Sequence, residues 1–307
     1  MIDNNKIIIY GGTGHYGNKV VKKLVDKGSL VKVVSRNYEK ARRKFGDNIE
    51  IIEGDVLNRD FIVESLKDVK AIVICLSAGN RKQIRQMKQI EQDAVLTIFE
   101  EAKKAGIKRL VYMSGYEIKK QLLLDLNVLE FGEIKLEIES KIFQSDFNWT
   151  ILGNAPSSEI FFTFVRNGKM VVPGGGLKAI PSISPEDVGE ITAQTVLRDD
   201  LNGKRIKLTG PNAFTFPQVA KLFSELTGKK VKHIKIPLFV FNMVSLIILP
   251  FNPFVRFLYK SLKLLNNFPS DMAENVPEDH KLLRKLFDYE PVSLDMEIRR
   301  RIKENKL

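Results

Sequence analysis

Short apolar runs rich in Val and Ile alternate with segments of helical periodicity through the first half of the chain. Turn-forming residues, mainly Gly and Asn, separate the two kinds of segment, which predicts strands alternating with amphipathic helices. The predicted strands are Lys6–Tyr10, Leu30–Val34, Ile49–Glu53, Ala71–Leu76, Arg109–Ser114 and Trp149–Leu152. The predicted helices are His15–Asp26, Tyr38–Lys44, Arg59–Leu66, Gln83–Ala105 and Asn127–Gln144.

This alternation predicts an α/β protein with a Rossmann-type, doubly wound parallel sheet and helices on both faces. After Leu152 the alternation becomes looser, because Pro156, the Pro-Gly-Gly-Gly run at 173–176 and Pro181 mark loops. We therefore expect a nucleotide-binding core in residues 1–152. Residues 153–307 are expected to form a smaller, partly hydrophobic C-terminal substrate or lid lobe with strands that return to the core.

The second half still contains recognisable elements. Ser184-Pro185-Glu186-Asp187 predicts a helix start, with serine as the cap, proline at the first position and acids in the first turn. That helix should end near Leu197. Further elements are predicted at Arg205–Thr209 (strand), Pro217–Leu226 (helix) and Val231–Ile236 (strand).

The segment Leu238–Asn267 has two interpretations. Its first part, Leu238–Phe251, is strongly apolar but too short to span a bilayer. A basic amphipathic helix follows, which is typical either of a surface that binds a membrane or a protein partner, or of a helix that covers a substrate lobe. The polar face of that helix carries Arg256, Lys260, Lys263 and Asn267, and its apolar face carries Phe254, Phe257, Leu258, Leu262 and Leu265.

Composition narrows the class of protein. A single cysteine, Cys75, excludes internal disulfides and fits a reducing compartment. Together with the absence of a visible signal peptide, this favours a cytoplasmic location, with peripheral membrane association as an alternative. The three histidines are far apart and no CxxC is present, so we expect no metal site. The formal charge of +12 is interpreted as a lysine-rich solvated surface, because no nucleic-acid-binding motif accompanies it.

A glycine-rich turn, Gly11–Gly17, lies between the first predicted strand and the first predicted helix. Glycines there allow a tight turn, close approach of a pyrophosphate to the backbone and close packing of the helix on the strand. The free N–H groups at the start of the helix favour phosphate binding. Strand, glycine turn and helix in this order predict a dinucleotide site.

The end of the second strand indicates which nucleotide binds. NAD-preferring sites place an acid there to accept hydrogen bonds from the ribose, whereas this chain has Ser35 and Arg36. These side chains suit the 2′-phosphate of NADP, and nearby basic residues in 40–43 add positive potential. Asp55, after the third strand, is either an acceptor for the adenine amino group or part of an Asx turn. NADP(H) is therefore expected in preference to NAD(H).

These motifs resemble those of the atypical short-chain dehydrogenase/reductase superfamily, in its NmrA-like, NAD(P)H-binding branch. The resemblance covers most of the chain, and the C-terminal tail is similar to the hydrophobic lobe of relatives of the nucleotide-binding accessory subunit of respiratory complex I. The motifs that carry it are Gly11–Gly17, Ser35–Asn37, Gly54–Val56, Tyr112–Gly115, Trp149–Leu152, Ser184–Val188, Asn202–Pro211 and Pro217–Gly228.

The resemblance implies a set of cofactor contacts. The glycine loop would line the pyrophosphate, the second strand would hold the adenosine phosphate, and the fourth and sixth strands would flank the nicotinamide and its ribose. The family usually has Arg-Pro after the sixth strand, where this chain has Gly153-Asn154. The implied residues are Gly11, Thr13, Gly14, His15, Tyr16, Gly17, Ser35, Arg36, Asp55, Val56, Leu76, Ser77, Asn154 and Ala155.

Catalytic relatives use a serine at the end of the fifth strand and a Tyr-x-x-x-Lys pair for proton transfer. Ser114 matches the serine and Lys135 the lysine, but Phe131 occupies the tyrosine position and carries no transferable proton. Tyr116 is an alternative donor. Two functions therefore stay open: an NADPH-dependent oxidoreductase, or a non-catalytic NADP(H)-binding regulator or assembly factor of a membrane or protein complex. The acids around Lys135 are interpreted as helix-surface charges: Glu130, Glu133, Glu137 and Glu139.

Overall fold

The computed structural model describes residues 6–79, 81–240, 243 and 253–304. The chain forms two compact units, and each is described by itself. The first consists of Met1–Gly115, Gly132–Gly153 and Val188–Ile206, and the second of Tyr116–Phe131, Asn154–Asp187 and Lys207–Leu307. The division of the sequence at residue 152 stays a prediction.

A seven-stranded sheet organises the first unit, in the order β10-β6-β5-β4-β1-β2-β3. The pairs that join β3, β2, β1, β4 and β5 are parallel; Ile8, for example, pairs with Lys32 on one side and Ile72 on the other. This confirms the predicted Rossmann-type sheet. The strands are β1 (Lys6–Tyr10), β2 (Val31–Ser35), β3 (Glu50–Glu53), β4 (Val69–Ile74), β5 (Arg109–Gly115), β6 (Asn148–Asn154) and β10 (Lys204–Leu208).

Helices follow the strands in regular alternation, and a π-helical turn (Gln89–Asp93) precedes one of them. Asn37 and Asn58 cap two of these helices, since their side chains accept the backbone N–H of Lys40 and Phe61. The helices in this part of the chain are α1 (Gly17–Asp26), α2 (Tyr38–Phe45), α3 (Arg59–Ser65), α4 (Arg81–Ile84), α5 (Ala94–Lys104), α6 (Lys120–Asp125), α7 (Glu133–Phe143) and α8 (Pro185–Val196).

The core of the first unit lies between the sheet and its helices. The apolar runs of β1 and β4 are almost wholly buried, as expected for parallel strands covered on both faces. Tyr10 is fully buried, and its hydroxyl forms a 2.6 Å hydrogen bond with Ser65, so the polar group is satisfied. Ile62, Ile98 and Ile138 are fully buried in the same cluster.

Two long predicted helices are broken in the structure, so those predictions were wrong in detail. The segment 83–105 contains the end of α4, the π-helical turn and α5 rather than one continuous helix. The segment 127–144 cannot be one helix because Asn127 has a φ of 50°, in the left-handed region. Only its C-terminal part, α7, is an α-helix.

The second unit contains two small sheets. β7 (Val165–Arg166), β8 (Lys169–Pro173) and β12 (Lys232–Ile236) form one, in the order β12-β8-β7; β9 (Ile180–Pro181) and β11 (Ala213–Phe214) form the other. The sequence predicted β12, marked loops at 173–176 and Pro181, and predicted none of the other strands of these two sheets. Its helices are α9 (Phe216–Thr227), α10 (Pro253–Asn266), α11 (Ser270–Glu274), α12 (Val276–Leu286) and α13 (Leu294–Lys303), with 3₁₀ turns at Leu129–Phe131 and Ser158–Phe162.

Helix α10 is the basic amphipathic helix of the sequence. Leu262 and Leu265 on its apolar face are buried in the core of the second unit. Lys260, from its basic face, is 9% exposed and pairs with Glu130. These contacts favour the interpretation of α10 as a packed helix of the lobe. Most of the preceding apolar segment, Leu238–Phe251, lies outside the described residues.

No described helix has the length and hydrophobicity that a bilayer-spanning segment requires.

Candidate functional site

The glycine loop after β1 is closed by its own backbone. Gly11 has a φ of 83°, and a Cβ there would lie 2.6 Å from the carbonyl oxygen of Cys75. Gly14 donates its N–H to the Gly11 carbonyl at 2.9 Å. A Cβ on Gly17 would lie 2.2 Å from the same carbonyl oxygen. Side chains at Gly11 and Gly17 would therefore push the loop apart, which explains why both positions require glycine.

A pocket of about 410 Å³ opens beside this loop, wholly within the first unit. It runs past the ends of β1, β2, β3 and β4, where a parallel sheet binds its ligand. Eleven of the fourteen predicted cofactor residues line it. They are Gly11, Thr13, Gly14, His15, Tyr16, Ser35, Arg36, Asp55, Val56, Leu76 and Ser77.

Several of these side chains are held by local contacts. The Ser35 hydroxyl donates to the Asn37 carbonyl at 3.0 Å and accepts the Asn37 N–H. Asp55 forms the Asx turn that was one of its two interpretations, since Oδ1 accepts the Leu57 N–H at 3.0 Å. The exposed Arg36 also lines the pocket. Arg36 thus provides a positive charge where the pocket passes the ends of β2 and β3.

The positive charge extends to the glycine loop. Lys44 donates to the Thr13 carbonyl at 2.9 Å. Burial lowers the pKa of Lys44, and the charges of Lys22 and Lys19 lower it further. Cations this close together create a local potential that suits an anionic ligand.

A buried cluster of charged and polar side chains lies next to the pocket. Lys135 Nζ lies 3.5 Å from Glu91 Oε2 and 5.5 Å from the centre of the Tyr112 ring. Glu91 follows Ile90, which lines the pocket, and its Oε1 accepts the Ala78 N–H at 2.6 Å. Burial opposes the charged form of Lys135, but Tyr112 and Glu91 outweigh it, so the pKa of Lys135 is raised. Lys135 is therefore protonated at neutral pH.

Tyr112 and Glu91 were not identified from the sequence. Tyr112 lies outside the Tyr-x-x-x-Lys spacing, yet β5 brings its ring to Lys135. Its hydroxyl is buried and has no hydrogen-bond partner among the described residues. Glu91 lies in the π-helical turn, and only that turn places it against Lys135. The helical periodicity of the sequence does not distinguish a single π-helical turn from the α-helix around it.

Ser114 at the end of β5 is 5% exposed and donates its hydroxyl hydrogen to Glu139. Glu139 also accepts two hydrogen bonds from Arg205, at 2.9 and 3.1 Å. The interpretation of Glu139 as a helix-surface charge was therefore wrong, since the carboxylate is buried between two donors. Glu137 is exposed but accepts from Gln92. The catalytic role of Ser114 stays a prediction.

Tyr116 belongs to the second unit and is 4% exposed. Its hydroxyl donates to Asp279 Oδ2 at 2.5 Å, and Lys207 Nζ lies 3.3 Å from the same oxygen. Burial and the hydrogen bond to Asp279 raise the pKa of Tyr116. A general acid needs a pKa near the working pH, so this environment does not prepare Tyr116 to give up its proton.

Asn154 and Ala155 follow β6 and belong to the second unit. Ala155 is 1% exposed, and its N–H donates to the Leu208 carbonyl at 2.8 Å. Asn154 Oδ1 is buried and lacks a hydrogen-bond partner in the described part of the chain. Such an oxygen can accept a hydrogen bond from a ligand amide. Their nicotinamide contact stays a prediction.

Neither a metal nor a reactive thiol is indicated. Within the described ranges, no three His, Cys, Asp or Glu side chains are grouped to hold a metal ion. Cys75 lines the pocket, but burial raises the pKa of its thiol to about 12. The thiolate that nucleophilic chemistry requires is therefore disfavoured at neutral pH.

The strand, glycine loop and helix beside this pocket define a Rossmann-type nucleotide-binding protein. The chain belongs to the NmrA-like family, whose sequence model matches residues 3–293. This confirms the branch of the short-chain dehydrogenase/reductase superfamily that the motifs indicated.

Two curated relatives are similar over most of the chain. The photosystem II assembly factor Ycf39 of Trieres chinensis is 25% identical over 244 residues, which cover 78% of this chain and 74% of the relative. The chloroplastic divinyl chlorophyllide a 8-vinyl-reductase of Arabidopsis thaliana is 26% identical over 264 residues. That match covers 78% of this chain but only 61% of the reductase. The proteins to which the chain is similar therefore include an assembly factor as well as a reductase.

A solved structure shows the same fold. The NADPH-dependent quinone oxidoreductase QOR2 of Escherichia coli, determined in complex with NADPH, superposes with a TM-score of 0.75 at 20% identity. The alignment covers 96% of this chain and 99% of the other. This similarity supports the fold, and its bound nucleotide agrees with the cofactor predicted from the sequence.

Proposed function

We propose that the protein is an NADPH-dependent oxidoreductase that reduces a small conjugated acceptor of the quinone or enone type. The observation that carries the proposal is the pocket beside the glycine loop, with Arg36 at its adenosine end and Lys135 held next to it by Glu91. The similar proteins add weight, because a vinyl reductase and an NADPH-dependent quinone oxidoreductase are among them.

The residues present fit NADP(H). The backbone of Gly11–Gly17 and the start of α1 would hold the pyrophosphate. Arg36 would hold the 2′-phosphate, and the strand end at Ser35 and Arg36 carries no acid that would repel it. Leu76 and Ser77 would flank the nicotinamide ribose. When bound, NADPH supplies a hydride.

An acceptor that gains a hydride must also gain a proton. The raised pKa of Lys135 does not suit proton transfer, so we assign the proton to solvent, which reaches the 19% exposed side chain; Lys135 would orient the acceptor oxygen as a hydrogen-bond donor. Its positive charge would also stabilise negative charge on an acceptor oxygen. Ser114 and Tyr116 donate their hydroxyl hydrogens to Glu139 and Asp279, so neither hydroxyl hydrogen is free in this structure.

The first experiment is a titration of the purified protein with NADPH and NADH, followed by nicotinamide fluorescence. Quinones, enones and simple carbonyl compounds are then added, and oxidation of NADPH is recorded. We expect tighter binding of NADPH and turnover with at least one conjugated acceptor. The Gly14→Val variant serves as the background, and turnover that never exceeds this background would refute the oxidoreductase proposal.

A non-catalytic NADP(H)-binding regulator or assembly factor is the second candidate. A specific observation favours it: Phe239, Val240 and Met243 are 65%, 41% and 61% exposed. Residues 238–240 and Met243 are helical where the structure describes them, and the spacing i, i+1, i+4 is typical of one helix face. Exposed apolar clusters of this kind commonly mark interaction sites.

The charge around this patch supports an anionic partner. Residues 226–270 contain seven Lys or Arg residues and no Asp or Glu. We therefore propose that the segment Leu238–Asn267 carries the contact with a protein complex or a membrane surface. In this proposal the protein is cytoplasmic and associates peripherally with the membrane through that contact.

The partner proposal is tested by substituting Phe239, Val240 and Met243 together with serine. The tagged protein is used to recover partners from its own cells, and its sedimentation with vesicles of anionic or neutral lipid is measured. We expect the triple variant to lose what the unchanged protein binds. The control is Leu282→Ser with Met296→Ser, which changes side chains that are 56% and 52% exposed elsewhere in the same unit. Equal recovery by all three proteins would refute the proposal.

A further inference from the structure

Glu91 has two different partners for its two oxygens. Oε1 accepts the backbone N–H of Ala78 at 2.6 Å, and Oε2 lies 3.5 Å from Lys135 Nζ. The residue is 8% exposed. Both oxygens of this buried carboxylate therefore have a polar partner. The carboxylate in turn restrains the position of the backbone amide and of the ammonium group.

The backbone around Glu91 explains this placement. Gln89–Asp93 form a π-helical turn, which contains an extra residue and so changes the direction in which its side chains point. Ile90 lines the nucleotide pocket, and the next residue, Glu91, reaches Ala78. Ala78 directly follows Leu76 and Ser77, which line the same pocket. The turn therefore connects the loop after β4 with the lysine of α7.

The groups that face Lys135 come from several elements. Glu91 belongs to the π-helical turn, Tyr112 belongs to β5, and Cys75 follows β4. Burial raises the pKa of Tyr112 and of Cys75, the positive charge of Lys135 opposes both rises, and Glu91 helps to raise the pKa of Lys135. Glu139, one turn further along α7, acts on Tyr112, and its own carboxylate is occupied by Arg205. Among these groups, Glu91 is the carboxylate in contact with Lys135.

We infer that Glu91 is a positioning residue that holds the Lys135 ammonium group beside the nucleotide pocket and fixes the loop 76–79 with the same carboxylate. The value of this arrangement for reduction rests on the proposed function, but the positioning itself does not. The two oxygens of Glu91 have separate roles. The negative charge of the carboxylate holds the Lys135 ammonium group, and the hydrogen bond from Ala78 holds the loop 76–79.

Two variants separate these roles. Glu91→Gln keeps an oxygen that can accept from Ala78 but removes the charge, whereas Glu91→Ala removes both. Glu133→Gln is the matched control, because Glu133 lies on the same helix as Lys135 and is exposed, whereas Glu137 accepts a hydrogen bond from Gln92 of the π-helical turn. Circular dichroism checks that each variant folds. If Glu91→Ala does not fold, Glu91→Gln alone still tests whether Glu91 holds the Lys135 ammonium group.

The measurement is labelling of Lys135 with an amine-reactive reagent as a function of pH, quantified by peptide mass spectrometry. An adjacent opposite charge shifts a pKa by about 1–3 units, so we expect the labelling midpoint to fall by at least about one pH unit in Glu91→Gln. The midpoint should not move in Glu133→Gln. An unchanged midpoint in Glu91→Gln would overturn the inference for Lys135.

The loop is tested by NADPH affinity, measured by fluorescence. Glu91→Gln should stay within about twofold of the unchanged protein, and Glu91→Ala should bind about tenfold more weakly, since the loss of one hydrogen bond to a charged acceptor corresponds to roughly that factor. Full affinity in a folded Glu91→Ala variant would overturn the loop part. Neither readout requires turnover, so both stay informative if the protein reduces none of the acceptors tested.

Discussion

The hydroxyl of Ser114, the residue at the position of the family's catalytic serine, donates its hydrogen to the buried carboxylate of Glu139. Arg205 holds the same carboxylate through two hydrogen bonds and also donates to the Gly115 carbonyl at 2.8 Å. The serine is therefore part of a network that joins β5, α7 and β10. To orient a substrate carbonyl, its hydroxyl would first have to leave a charged acceptor.

Ser114→Ala should reveal which role the hydroxyl has. A hydrogen bond to a charged group contributes about 1.5–3 kcal/mol, so we expect the free energy of unfolding to fall by that amount in urea titrations. If the proposed reduction occurs, kcat should change by less than about threefold. Ser140→Ala, at an exposed position of α7, is the control and should leave both quantities unchanged. A large loss of kcat without loss of stability would instead assign Ser114 to catalysis.

The hydroxyl of Tyr112 provides a second test, because Tyr10 offers a matched comparison. Both tyrosines are almost fully buried in the first unit, but among the described residues only the Tyr10 hydroxyl has a hydrogen-bond partner, Ser65 at 2.6 Å. Tyr10→Phe should therefore reduce the free energy of unfolding by about 0.5–1.5 kcal/mol. Tyr112→Phe should leave it unchanged or raise it, since a buried unpaired hydroxyl is removed while the ring beside Lys135 is kept.

Urea unfolding of the two phenylalanine variants, measured side by side, checks this prediction. Tyr112→Leu extends it, because loss of the ring also removes the cation–π contact with Lys135, worth about 0.5–2 kcal/mol. Destabilisation by Tyr112→Phe equal to that of Tyr10→Phe would contradict the prediction and show that the Tyr112 hydroxyl is hydrogen-bonded in solution.

Arg36 should decide between the two nucleotides. Only NADPH carries the 2′-phosphate, and a charge-assisted hydrogen bond to it is worth roughly 1.5–3 kcal/mol. We expect Arg36→Ala to weaken NADPH about 10- to 150-fold and NADH less than about twofold, in fluorescence titrations at fixed salt. Arg43→Ala removes an exposed charge outside the pocket lining and serves as the control. Equal weakening of both nucleotides by Arg36→Ala would place the arginine elsewhere on the ligand.

Much of the pocket could be predicted because its parts have strong local signals. The glycines of the loop, the short strand ends and the missing acid at Arg36 each reflect backbone geometry or charge over a few residues. The sheet itself follows from apolar runs such as Ile7–Tyr10, which are buried on both faces. These features can be predicted without knowing which residues that are distant in sequence come into contact.

The residues that the sequence did not reveal depend on distant contacts. Glu139 looked like one more acid on a charged helix, and only the return of β10 with Arg205 shows that it is buried. Glu91 is hidden by a π-helical turn in a segment with helical periodicity. Asn127 broke a predicted helix through a left-handed conformation that Asn tolerates but does not require. Tertiary packing decides each of these cases, and local propensity does not.

The glycine loop gives the last test, since the nucleotide site depends on its backbone. A Cβ on Gly14 would lie 3.0 Å from the Gly11 carbonyl oxygen, and the rest of a valine side chain would enter the pocket that Gly14 lines. We expect Gly14→Val to lose NADPH and NADH binding together while its circular dichroism spectrum is retained. Gly79→Ala is the control, because Gly79 lines the same pocket but its Cβ would meet no atom within 4 Å. If Gly14→Val kept its affinity for both nucleotides, the glycine loop would not be their site, and the assignments of Arg36 and Lys135 would have to be abandoned with it.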